Sequence, residues 1–81
     1  MEFNRFRDAL ADALGGLDPT GMTPETELTR LPAWDSLAIL NAMEVADADF
    51  GAEVTGAEVR ACATLGQLHQ LVASRAPGAN A

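Results

Sequence analysis

Lysine is absent from this chain, and cysteine and histidine occur once each, as Cys62 and His69. A lone cysteine excludes an intramolecular disulfide, and one cysteine with one histidine excludes the zinc sites that often reinforce domains of this size. A single histidine also leaves no convincing set of nucleophile, base and orienting group for independent hydrolytic chemistry. No apolar run approaches the roughly 20 residues of a membrane-spanning helix. The opening residues, MEFNRFRDALADAL, alternate charged with apolar groups and do not read as a signal peptide. The expectation is a soluble, cytoplasmic protein.

With no lysine, five arginines face twelve acidic residues, and the formal net charge is -7. Such a surface repels a nucleic-acid backbone or an anionic membrane, so neither is expected as a partner. Proteins with basic patches are. What is present in quantity is apolar: 48% of the 81 residues are hydrophobic. A chain this short buries only about 60% of the surface its unfolded form exposes, so all its elements must share one core.

Phe3, Phe6, Leu10, Ala13 and Leu14 fall at helical spacing, and Gly15-Gly16 supplies a stop, which predicts a first helix over residues 3–15. The following stretch, GLDPTGMTPETELTRLPAW, contains Pro19, Pro24 and Pro32 and cannot be one helix. It reads as a long loop that Leu28, Leu31 and Trp34 fold back against the bundle. Asp35 is a good N-cap, and Ile39, Ala42, Met43, Ala46 and Phe50 then repeat at helical spacing until Gly51 ends the run. Thr55-Gly-Ala-Glu58 has the form of a capping box and opens a short helix around Val59. Thr64 caps a last helix carrying Leu65, Leu68, Leu71 and Val72. The tail RAPGANA lacks periodicity and is expected to fray. The fold class is all-α, a four-helix bundle with a long first loop and a short third helix, and the chain shows no internal repeat.

Such a bundle does not specify a function by itself. The segment Trp34-Asp35-Ser36-Leu37 offers a site, because it places a serine in the first turn of the second helix. With Asp35 as the cap, the Ser36 hydroxyl faces solvent near the positive end of the helix dipole, a favourable position for an anion. At about 100° per residue, Leu37, Leu40, Asn41, Glu44 and Asp47 fall away from the core-facing residues. They combine apolar and acidic groups beside Ser36 and read as a docking surface. Trp34 reads as a packing residue that pins the loop, Cys62 as a small half-buried hydrophobe and His69 as a flank residue.

Asp35-Ser36-Leu37 at the start of this helix, its Phe50-Gly51 end, the Ala-Glu-Val segment after it and Thr64-Leu65 at the last helix together resemble the acyl carrier protein family over residues 3–73. The resemblance implies an acyl-carrier type bundle in residues 1–75, a flexible tail over 76–81 and no enzymatic activity of its own. It implies that a magnesium-dependent phosphopantetheinyl transferase uses Ser36 as nucleophile against coenzyme A, leaving a 4'-phosphopantetheine arm on the serine, with Asp35 beside it. The thiol of that arm would bear acyl groups as thioesters for the loading and processing enzymes of polyketide, fatty acid or related biosynthesis. The carrier alone would be a monomer. Carriers of fatty acid synthesis usually place acidic residues where this chain has Ala38 and Asn41, and Trp34 is similar to what some discrete carriers of specialised metabolism show. An aminoacyl or peptidyl carrier, and a carrier-like adaptor without an arm, are alternative readings.

Overall fold

The computed structural model describes residues 2–32 and 34–77. Its helices are α1 (Phe3–Ala13), α2 (Ser36–Phe50), α3 (Gly56–Ala61) and α4 (Leu65–Arg75), with 3₁₀ turns at Pro19–Gly21 and Leu28–Arg30 in the first connection. Among the described residues there is no strand, only an isolated antiparallel pairing of Glu27 with Thr64. α1 packs on α2 and α4, and α2 also packs on α3 and α4.

α1 ends at Ala13, two residues short of the expected stop. Gly15 and Gly16 both take positive φ, at 94° and 78°, and the amides of Gly16 and Leu17 turn back to the Ala11 carbonyl. The helix buries Phe6, Leu10 and Ala11. Phe6 meets the Phe50 ring at 5.9 Å and the His69 ring at 5.8 Å, and Phe3 meets His69 edge-on at 5.5 Å. His69 is therefore packed among phenylalanines where α1 crosses α4.

The long connection is ordered by backbone pairing with the start of α4. Leu65 N–H donates to the Thr26 carbonyl at 2.8 Å, Gly66 N–H to Pro24 at 2.9 Å, and Leu28 N–H to Ala63 at 3.0 Å. The first amides of a helix have no acceptor inside it, so the loop supplies what α4 lacks while α4 fixes the path of the loop. The third amide of that turn, Gln67 N–H, is taken by the Thr64 hydroxyl. Gly66 is required by this closeness: a Cβ there would lie 2.8 Å from the Pro24 oxygen. Met22, Leu28 and Leu31 from the same connection enter the core, and Trp34 packs half-buried against it, as expected of Leu28, Leu31 and Trp34.

α2 is capped at its start by Asp35, whose carboxylate accepts from Ala38 N–H, and at its end by Gly51 in the left-handed conformation. Its buried residues are Ala38, Ile39, Ala42, Val45 and Ala46. Met43 and Phe50, expected on the core face, lie at its half-buried edges instead. At about 100° per residue the five buried residues still form one stripe, turned from the expected one so that Met43 and Phe50 leave it and Ala38 and Val45 enter it. Those last two lie on the side of α2 that meets α1, close to Ala13.

The Thr55–Glu58 capping box is present in both directions. Arg75, the first residue of the aperiodic stretch RAPGANA, is the last of α4, Ala76 of the expected tail packs half-buried against the core, and a Cβ on Gly51 would lie 3.1 Å from the Pro77 ring. The rest of that tail, residues 78–81, lies outside the described residues. None of the buried residues described is polar or charged. Full burial of Phe6, Leu10, Leu28, Leu65 and Leu68 supplies the main stabilisation, about 1.5–3 kcal/mol for each large apolar side chain. No described helix is long and apolar enough to cross a membrane.

Candidate functional site at the start of α2

Ser36 is the first residue of α2 and is exposed. The adjacent Asp35 is occupied with capping: its Oδ1 accepts from Ala38 N–H at 3.0 Å. Among the described residues the Ser36 hydroxyl has no hydrogen-bond partner. The amides of Ser36 and Leu37 have no acceptor within the helix, and no acidic residue occupies the first turn. The serine oxygen thus sits on a rigid element, at its electropositive end, with free donors beside it. The other serine, Ser74, differs in each respect. It lies in the last turn of α4, and its hydroxyl donates to the Leu71 carbonyl at 2.7 Å.

Leu37 and Leu40 are exposed to 65% and 58% and are the large hydrophobics left in solvent among the described residues. Glu44 and Asp47 are exposed further along α2, and the helix carries Asp49 but no basic residue. The expected docking face loses Asn41 at its α1 edge. That residue is half-buried, and its Nδ2 donates to the Ala13 carbonyl at 3.4 Å, joining α2 to the last turn of α1. Ala38 is buried as well, at 4% exposure. Positions 38 and 41 therefore face α1 and the core, and the exposed carboxylates lie one to two turns beyond.

Two of the grooves that flank this helix bear on the site. The larger, about 620 Å³, runs between α2 and the segment that leads into α3 and is open to solvent. Leu40, Met43 and Val54 form its apolar side, Glu44, Asp47 and Glu53 bring carboxylates, and Thr55 and Arg75 complete it. The smaller, about 280 Å³, lies between the end of α1 and the start of α2, where Leu14, Pro32, Leu37 and Asn41 meet.

The other candidate groups are structural. Cys62 is half-buried and its thiol donates to the Glu58 carbonyl at 3.4 Å. Burial pushes its pKa up, and the Glu58 charge adds to the effect, so the thiolate needed for nucleophilic or redox chemistry is disfavoured. Among the described residues no group of three or more His, Cys, Asp or Glu could hold a metal ion.

Sequence reasoning missed Arg75, which the composition of RAPGANA assigned to the tail. Its guanidinium pairs with Glu58 of α3. A cation in the last turn of a helix is a local signal that would have kept it in α4, but its acceptor, seventeen residues away, has no local signature. Comparison of the chain with protein-family models, with curated proteins and with solved structures finds no match.

Proposed function

We propose that this chain is an acyl carrier protein that bears a 4'-phosphopantetheine arm on Ser36. The observation that carries the reading is the free, exposed Ser36 hydroxyl on the first turn of α2, bracketed by a capping Asp35 and by exposed Leu37 and Leu40 on a helix with no basic residue. The residues fit a phosphodiester at this position. The serine oxygen is accessible, the unpaired first-turn amides and the helix dipole favour an anion, and the one carboxylate nearby is engaged by Ala38 N–H.

In the modification reaction Ser36 Oγ gives up its proton to the modifying enzyme and forms a bond to the pantetheine-bearing phosphorus of coenzyme A. The pyrophosphate bond breaks, and the adenosine bisphosphate half leaves with its electron pair. In this reading magnesium belongs to the transferase. When bound, the arm supplies a terminal thiol that holds acyl groups as thioesters.

The chain contributes position and recognition, and partner enzymes perform the acyl chemistry. Asp35 fixes the first turn, and α2 holds the attachment point rigid against the core. Leu37 and Leu40 offer apolar contact at the serine, while Glu44 and Asp47 attract basic patches on transferases and on acyl-loading and acyl-processing enzymes. With Ala38 buried and Asn41 turned to α1, the attraction falls on Glu44 and Asp47, which favours partners other than those that read acidic residues close to the serine. The reading places the protein in the cytoplasm as a monomeric carrier for polyketide, fatty acid or related biosynthesis. An aminoacyl or peptidyl carrier would use the same serine.

Intact-protein mass spectrometry after incubation with coenzyme A, magnesium and a broad-specificity transferase tests the proposal. Wild type gains one phosphopantetheine and Ser36→Ala gains none. Absence of any gain on folded wild type with several transferases favours an adaptor without an arm.

A further inference from the structure

The larger groove has one wall that buries few side chains, and one guanidinium ties that wall to the end of α4. Arg75 Nη1 donates to the Glu53 carbonyl at 3.2 Å and to Glu58 Oε1 at 3.1 Å, while Nη2 pairs with Glu58 Oε2. Glu58 Oε1 also accepts from Thr55 N–H at 3.0 Å. One guanidinium therefore joins the end of α4 to the residues before α3, to its N-cap and to its first turn.

The segment tied down in this way is short and buries few side chains, although α3 packs on α2. α3 has six residues, far fewer than a helix needs to persist alone, and it buries only Val59. Val54 adds a second buried side chain. Gly56 lies close to α2, where a Cβ would be 3.7 Å from Met43 Sδ and 3.9 Å from Ile39. Gly51, in the left-handed conformation, precedes the segment, and a non-helical stretch at residues 62–64 follows it.

We propose that Arg75 is a latch on residues 53–61. Engaged, it holds this segment as the wall of the groove between α2 and the end of α4. Released, it lets the wall move away from α2 and widens the groove while α1, α2 and α4 stay packed. The side chains of Arg75 and Glu58 are 44% and 30% exposed, and pairs so accessible to water add little to global stability. A weak tie nonetheless shifts the population of an element that already opens at low cost. The groove also carries Glu44 and Asp47, which offer the guanidinium other acceptors once it leaves Glu58. A lysine cannot replace it, because an ammonium lacks the planar fork that serves two carboxylate oxygens and a carbonyl together. The latch does not depend on modification of Ser36.

Amide hydrogen exchange of the intact chain, followed residue by residue, tests the latch. Thr55, Val59 and Cys62 report on the wall, and Leu14 and Leu68 on the rest of the bundle. Arg75→Ala is expected to speed exchange of the first three by about three- to tenfold and leave the other two unchanged. Arg75→Lys, which keeps a cation at the end of α4, gives most of that acceleration, and Arg60→Ala, on α3 itself, gives none. Equal acceleration at all five amides, no acceleration in Arg75→Ala, wild-type behaviour of Arg75→Lys, or an Arg60→Ala that copies Arg75→Ala would each overturn the proposal.

Discussion

The Asp35 carboxylate is hydrogen-bonded to the backbone N–H of Ala38 at 3.0 Å, and this contact spans Ser36 without using its hydroxyl. The cap orders the turn on which the serine stands. Asp35→Ala should destabilise the fold by about 1 kcal/mol, and Asp35→Asn or Asp35→Ser by much less. In thermal denaturation the alanine variant should melt roughly 4–8 °C below wild type, as expected for a domain of this size.

Gly66 lies against the Pro24 carbonyl, and its own amide donates to that oxygen. A methyl group there has no room, and what it meets is backbone. Gly66→Ala should therefore cost about 1–3 kcal/mol through local overpacking. Chemical denaturation should show the loss in the midpoint, and amide exchange should show it first at Leu28 and Leu65, which share the same loop-to-helix pairing.

Glu58 has a pKa lowered below its ordinary value, first by the hydrogen bond from Arg75 and then by that from Thr55 N–H. A carboxyl depressed in the folded state contributes stability above its unfolded pKa and loses it as pH falls through the folded value. Wild type should therefore melt above Glu58→Gln near neutral pH, and the two should converge in acid. A gap that persists in acid would contradict the assignment.

Leu37 and Leu40 are mostly in solvent, so their removal should barely touch the fold. Leu40→Ala should stay within about 0.5 kcal/mol of wild type. If the exposed patch is a docking surface, the same change and Glu44→Lys should each lower kcat/KM for modification of Ser36 by a transferase, mainly through KM. Unchanged kinetics in both variants would remove these residues from the docking surface.

How far the sequence announces this structure depends on the range of the interaction. Caps at Asp35, Thr55 with Glu58, and Thr64 join residues three apart, and all appear at their expected places. The path of the first loop rests on backbone bonds from residues 24–28 to residues 63–66, which leave no mark on composition. The position of α1 turns the buried stripe of α2 toward Ala38 and Val45 and engages Asn41, where helical periodicity alone centres the stripe nearer Met43 and Phe50. Ser36 was legible as a first-turn serine. That its hydroxyl is free while that of Ser74 is bonded required the fold.

The central claim is tested most directly by locating the modification. After incubation with coenzyme A, magnesium and transferase, cleavage at arginine yields one peptide spanning residues 31–60, which contains Ser36, and another spanning 61–75, which contains Ser74. A single phosphopantetheine on the first peptide, with the second unmodified, is the result the account predicts. Folded protein that stays unmodified with several transferases, or that carries the group anywhere but Ser36, would contradict it.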